Sequence, residues 1–504
     1  IEFPEMVKLM RELTGNTPFL KKYKQANGMM YGRNGGEIGL HPDLFKPGNA
    51  EQLAKTLAHE IGHIADYLPD ATLARGNLIG RLNTLKRFMG ETFGGSGPAN
   101  KIVRQELIDA SAYWRPWDRT TATKSFIKYR DSAKELYADA ISILYNSPGL
   151  LQKMAPQFYR ELFAKLDTKP AYKTQFLELQ RLLQQGPDAV AGDRIQRLRE
   201  QFGKGEELFR QAVEDRANKD RTPHGLAAEI RHQMVDVADK ISRDLRKSGI
   251  KLPASQDPRI RWEENLLADN NNLLDIRQIA ENVVAPLEAA GLTKEDLGIL
   301  LKFQREMGAR SDIANPGGYQ MDTAGDTLMR FLNTLKPGQA QALQQAADAF
   351  RAKFQARMFE AYDVGIVSKK TWEKIVAPNA GNYATFRGLD HVDTYIAPGI
   401  IKARGTLGDI ENPFISTMLK LESLNRLIME QKAKIAVRDF YAGTDPATFS
   451  KAPTYFKDGA QVAKPPPEGL KRVTMLEDGR RVAYDVDPYI ADAFAKLPGG
   501  QVSF

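Results

Sequence analysis

The segment His59-Glu60-Ile61-Gly62-His63 limits what this chain can fold into more than any other. Residues four apart share one helix face, so two imidazoles at this spacing meet at one metal ion only if the stretch is helical. Glu60 then lies beside them, next to a coordination position that the chain leaves open. Only six histidines occur in 504 residues, and two of them stand here. The plainer alternative is a pair of surface histidines on an ordinary helix. A ligand helix must also be held rigidly, so its opposite face has to be anchored in a core.

The flanking residues meet that demand. Asn49 follows Pro47-Gly48 and suits an N-cap, with Gln52 three residues on as in a capping box. Leu53, Leu57, Ile61, Ile64 and Leu68 recur at helical spacing and form one apolar stripe. Ala54, Ala58 and Gly62 are small enough for a second element to approach closely, and Pro69 stops the helix. His-Glu-x-x-His on such a helix is a zinc-hydrolase pattern, in which Zn2+ takes three protein ligands and keeps the fourth position for water. His59 and His63 supply two ligands, and Glu60 is the expected catalytic general base.

Glu135 is the best candidate for the third metal ligand. It lies in Ser132-Ala133-Lys134-Glu135-Leu136-Tyr137-Ala138-Asp139, which reads as a second amphipathic helix with Leu136, Ala140, Ile143 and Leu144 as its apolar positions. Glu135 and Asp139 share a face, so one carboxylate can bind metal while the other accepts the spare ring N–H of a ligand histidine, His59 foremost. Ser132-x-x-Glu135 also reads as a capping box, with Glu135 folded back onto the helix start. On the sequence both readings stand.

Taken together, Ile38-Gly39-Leu40, Thr56 to His63, and Glu135 to Asp139 resemble the minimal gluzincin metallopeptidases. The resemblance covers only the N-terminal part of the chain. It implies a zincin-like domain that hydrolyses peptide bonds, with Glu135 completing the zinc site and Asp139 orienting a histidine. Glu135 stands 72 residues beyond His63, a longer separation than in compact members, for which an insertion around Phe93 to Pro98 accounts. Tyr129, Arg130 and Tyr137 are near enough in sequence to be weighed as transition-state-stabilising residues, but each reads more simply as a packed or solvated side chain. Upstream, Met29-Met30-Tyr31 and Glu37-Ile38-Gly39-Leu40 flank the turn-rich Gly32 to Gly36, a hairpin pattern. In the resembling family an edge strand before the zinc helix pairs with an extended peptide. Glu37, Ile38, Gly39 and Leu40 are therefore read as the substrate-side strand, with Gly39 allowing close backbone approach.

At this length a single core is not expected, and about two to four domains are. The fold class reads as mainly α. A zincin-like α+β metallopeptidase domain with a small edge hairpin spans residues 1–203, and a helical domain spans 204–336. A long-helix region follows over 337–463, holding a helix from Ala340 to Tyr362. Residues 464–504 are a stiff Lys464-Pro465-Pro466-Pro467 linker and a short β-hairpin about Asp478-Gly479, opening a further module. The boundaries rest on a charge-dense stretch at Lys204 to Arg221, on Pro337-Gly338 and on the proline run. Phe350, Phe354 and Phe359 read as packing residues rather than a base-stacking platform, and His224, His232 and His391 as structural or surface residues.

The chain has no cysteine, which excludes a disulfide-bonded secreted scaffold and a thiolate zinc site. No run of 18 apolar residues provides a membrane span. The net charge of +8 permits contact with nucleic acid without requiring it. Lys21-Lys22-Tyr23-Lys24 and Arg243 to Lys247 read as solvated faces. The chain starts at Ile1, shows no signal-peptide pattern, and ends at Gly499 to Phe504 without a closing element, as in a piece of a larger polypeptide.

A second resemblance, of texture, concerns the whole architecture. Tyr113-Trp114-Arg115-Pro116-Trp117-Asp118, Glu135 to Ala140, Asn315-Pro316-Gly317-Gly318 and Glu360 to Ser368 look like stretches of the large polyvalent proteins of tailed phages and integrative elements. That resemblance implies a location in the virion or, after delivery, in the recipient-cell cytoplasm. Two expectations follow. One is a zinc peptidase module that cuts a host protein or its own parent chain. The other is a structural virion or ejected protein whose metal only ties two helices together.

Overall fold

The computed structural model describes residues 2–24, 26–31, 36–46, 48–65, 97–167, 170–219, 241, 243–266, 268–308, 315–382, 407–457 and 460–496. The chain forms two compact units, one of residues 1–197, 306–334 and 403–409, the other of 198–305, 335–402 and 410–504. It is mainly helical, with small sheets. Expectations about Pro69, the Phe93 to Ser96 insertion, the Gly32 to Gly35 turn, and His224, His232 and His391 lie outside the described residues.

The first unit opens with helix α1 (Phe3–Thr14) and a three-stranded sheet of β1 (Phe19–Leu20), β2 (Gly28–Tyr31) and β3 (Glu37–Leu40). β2 and β3 are antiparallel, Met30 opposite Ile38, which makes the anticipated hairpin. Ile38, Leu40, Met30 and Gly28 therefore share the face turned toward helix α2 (Ala50–Ala65), because side chains alternate along a strand. Helices α3 (Pro98–Trp114), α4 (Lys124–Arg130) and α5 (Ala133–Asn146) complete the framework of the site.

The sequence stripe on α2 is the core stripe: Leu53, Leu57, Ile61 and Ile64 are all buried, together with Met6, Leu9 and Met10 of α1. Leu68 lies outside the described residues. Asn49 accepts the first helical bond through its carbonyl, from Leu53 N at 2.8 Å. Its amide instead donates to the Asp43 carbonyl, and Gln52 turns forward to Thr56, so the reciprocal capping box is not made. Helix α5 departs further from its sequence pattern. The amphipathic reading gave it one apolar face, yet every residue from Glu135 to Tyr145 is buried. It is a central helix, packed by α2 and α3 and followed by a new helix that starts at Pro148. Polar Asp139 and Ser142 are thus enclosed at 0% exposure and need internal partners.

The crossing of α2 and α5 is close because Gly62 has no side chain. A Cβ there would meet Ala138 Cα at 2.9 Å and Ile141 Cβ at 3.0 Å. The Asn315 to Gly318 motif also belongs to this unit. Gly317 and Gly318 take positive φ angles of 76° and 70°, and the Phe3 ring fills the space that a side chain on Gly318 would need.

In the second unit Asp275, on helix α6 (Ala268–Ile279), is 1% exposed and receives Arg357 through two nitrogens at 2.9 and 3.0 Å. It also receives Asn425 at 2.8 Å. One carboxylate so joins α6 to helix α7 (Gln339–Asp363) and helix α8 (Pro413–Thr444). Phe350 and Phe354 of α7 are buried as expected, but Phe359 is 54% exposed with its edge on Trp372, so it is not a core residue. The C-terminal hairpin turns at Asp478 and Gly479, both with positive φ, as a two-residue turn requires. Its strands, Lys471–Glu477 and Arg480–Val486, take Phe449–Lys451 as a third, and Met475, Tyr484 and Val486 pack with Val437 and Phe440 of α8.

Gly62→Ala tests the crossing. Alanine gains about 1 kcal/mol of helix propensity, but forced separation of two packed backbones costs about 1–3 kcal/mol. The variant is expected to melt at a lower temperature than the unchanged protein in a calorimetric scan.

Candidate metal centre

The α2–α5 crossing brings His59, His63 and Glu135 together, with their candidate ligand atoms all within 4.8 Å of one another. The two rings stand edge to face, centroids 4.8 Å apart. Glu135 Oε2 lies 3.4 Å from His59 Nε2, and Oε1 lies 3.6 Å from His63 Nε2. Two atoms bound to one tetrahedral ion at about 2.0–2.1 Å stand about 3.3 Å apart, close to these separations. Oε2 of Glu135 is buried and accepts no hydrogen bond, a state that burial makes costly. Two imidazoles and one carboxylate, one of whose oxygens is buried without a hydrogen bond, fit a divalent cation.

Of the two readings of Glu135, the structure makes half of one. Ser132 caps α5, its hydroxyl accepting from Glu135 N at a long 3.5 Å. The Glu135 carboxylate does not fold back to Ser132 N, which donates to the Tyr129 carbonyl, but points at the two rings.

Asp139 orients the first ring. Nδ1 of His59 donates to Asp139 Oδ1 at 2.9 Å, which leaves Nε2 directed at Glu135 and the ion position. The same carboxylate takes Arg115 Nη1 at 3.2 Å, Ser111 Oγ at 2.6 Å and Arg130 Nη1 at 3.1 Å. Burial opposes its charge, but His59, Arg115 and Arg130 hold it well below the usual carboxylate range. Burial likewise opposes charge on His59, yet Asp139 and Glu135 raise its pKa to about 9. His63, buried and beside His59, falls to about 4. For Glu135, burial acts upward, and the two histidines and the Tyr129 hydroxyl bring it below the ordinary value.

Glu60 stands outside the ligand set. Burial raises its pKa to about 7, opposed by the charge of His59 and by a hydrogen bond from the Met30 backbone N–H. Strand β2 reaches Glu60 because Gly28 is bare: a Cβ there would come within 3.0 Å of Glu60 Oε1 and 2.8 Å of Thr56 Cγ2.

The substrate-side strand needs correction. Glu37–Leu40 is the central strand, paired along its length with β2 and at Gly39 and Leu40 with β1, so it has no continuous free edge. Ile38 and Leu40 are buried because they lie on the face turned toward α2. The edge strand beside Glu60 is β2. Gly39 does lack a side chain for a purpose, but what fills the space is the Tyr23 hydroxyl rather than an incoming backbone.

Of the three residues near Glu135, Arg130 is buried on Asp139 and Ser111, and Tyr137 packs edge-on against Phe158. Tyr129 is half exposed, and burial and the neighbouring Glu135 charge push its hydroxyl pKa up. The sequence reading missed Ser111, Arg115 and Gly28. None belonged to a recognisable metal-site motif: Ser111 and Arg115 reach the centre from the C-terminal end of α3 and Gly28 from β2. No family model matches this chain, and no curated protein or solved structure is similar to it at a significant level.

Asp139→Asn removes the charge that orients His59 and faces Arg130. Metal affinity is expected to fall about 10–100-fold, and the fold to weaken by roughly 3 kcal/mol, readable by metal titration and chemical unfolding. A second expectation concerns pH. Because the folded His59 is raised from 6.5 to about 9, its contribution to the metal-free fold is complete below pH 6.5 and is lost as pH rises to about 9. The same Nε2 proton must leave before a cation binds. Affinity is therefore expected to climb about tenfold per pH unit from 6.5 toward 9, with about one proton released at neutral pH. Calorimetry in buffers of differing ionisation enthalpy counts that proton.

Proposed function

We propose that this chain carries a zinc-dependent peptidase centre in which His59, His63 and Glu135 hold the ion and Glu60 is the general base. The observation that carries this reading is Glu60 itself, a buried carboxylate beside the ligand set but outside it, with a pKa near 7. A site that only ties helices together has no use for a second acid there, whereas a general base works best with a pKa near the operating pH. Two imidazoles and a carboxylate are a donor set that favours zinc among common divalent ions. Bound zinc would lower the pKa of a water and polarise a scissile carbonyl.

The chain's own groups account for the rest. The Glu60 carboxylate takes the proton of the attacking water and hands it to the departing amine. Met30 N–H and the bare Gly28 keep that carboxylate in place. Asp139 fixes the His59 tautomer. The outer edge of β2 is the backbone beside Glu60 on which an extended substrate can add as a strand.

The second reading, a metal that merely staples α2 to α5 in a virion or ejected protein, is favoured by the depth of that crossing in the core. The link to polyvalent proteins carried with DNA rests on sequence motifs alone. Glu60→Gln separates the two. With zinc content unchanged, cleavage of a broad peptide library is expected to drop about 10²–10⁴-fold. Undiminished cleavage by the variant, or the absence of bound metal in both proteins, would sink the proposal.

A further inference from the structure

Beside the centre, the stretch from Tyr113 to Arg130 leaves aromatic rings in water. Tyr113 is 64% exposed, Tyr129 51% and Phe126 43%. Three of its rings form a row. Trp117 meets Phe126 edge to face with centroids 5.4 Å apart, and Phe126 lies 6.4 Å from Tyr129. Phe126 and Tyr129 are three apart on α4 and so share a face. Tyr129 neighbours the Glu135 charge, so the row runs from the surface toward a candidate metal ligand. Rings left half in water gain by covering, in proportion to the apolar area removed.

The same stretch is cationic. Arg115, Arg119, Lys124, Lys128 and Arg130 stand against one acid, Asp118. Asp118 is taken up by its own turn through Thr120 and Thr121. Arg130 is occupied by Asp139, and Arg119 by Asp131 while it covers the Trp117 ring. Arg115 differs. Among the described residues only its Nη1 is used, on Asp139 and near His59, and its side chain remains 43% exposed. A guanidinium has five N–H donors, so most are left for an incoming acceptor.

We propose that the centre acts on polypeptide segments that present a bulky aromatic side chain with acidic neighbours, the ring lying on Trp117, Phe126 and Tyr129 and a carboxylate meeting Arg115. This rests on the peptidase reading for its chemistry but not for its binding. The wall and the centre are continuous, and the positive balance of the wall selects the charge of the partner.

Four peptides of equal length, with a central Phe or Ala and flanking Glu or Lys, distinguish the outcomes. Each is titrated by fluorescence anisotropy against the full zinc-loaded chain, and cleavage is followed separately. The Phe peptide with Glu flanks is expected to bind about tenfold more tightly than the other three. Trp117→Ala and Phe126→Ala should each abolish that preference with bound zinc unchanged, while Phe126→Tyr retains it. Equal binding of all four peptides, or a preference untouched by both alanine variants, overturns the proposal. Selective binding without any cleavage instead removes the peptidase reading and leaves the recognition surface standing.

Discussion

A carboxylate with no access to water stays charged only if donors and cations converge on it, and Asp139 draws three hydrogen-bond donors and one further ion-pair partner. His59 comes from α2, Ser111 from α3, Arg115 from the end of α3 and Arg130 from α4, all onto one side chain of α5. Each contact is modest, but together they hold four elements in register about one point. The candidate metal ligands inherit their placement from that point. His59 is turned by Asp139, Glu135 lies one turn before Asp139 on the same face, and His63 follows from the α2–α5 crossing at Gly62.

The electrostatics of the centre divide along the same lines. His59 and His63 have the same chemistry and neighbouring positions, yet one is pushed up and the other down. Burial lowers both, but the first ring is hydrogen-bonded by Asp139 and Glu135, and its charge in turn lowers the second. Glu60 and Glu135 diverge for a matching reason. Both are buried, but Glu135 faces two imidazoles while Glu60 faces the bare backbone of β2.

The second unit follows the same rule with a different outcome. Asp275 joins three helices through Arg357 and Asn425, with Lys353 also paired to it. Among the described residues no histidine faces it, and no oxygen of it is left without a partner, so it reads as a structural joint. A buried acid becomes a candidate for function where something is left unsatisfied, as at Glu135.

Much of the site was legible because it is local. The spacing of His59 and His63, the stripe of Leu53, Leu57, Ile61 and Ile64, the shared face of Glu135 and Asp139, and the turn at Asp478-Gly479 are all short-range facts of helix and strand periodicity. What periodicity cannot carry is the identity of a neighbour far along the chain. That α5 is enclosed on every side, that Glu37–Leu40 sits in the middle of its sheet, that Phe359 lies in water and that Ser111 and Arg115 meet Asp139 depend on which surfaces pack together. Nor does any compositional sign mark residues 306–334 as part of the first unit. The sequence by itself determined the ligand helix, its apolar anchor and the candidate acids. Only the tertiary structure decided which acid faces the rings and which strand lies beside Glu60, because burial and proximity are set by packing between elements rather than within them.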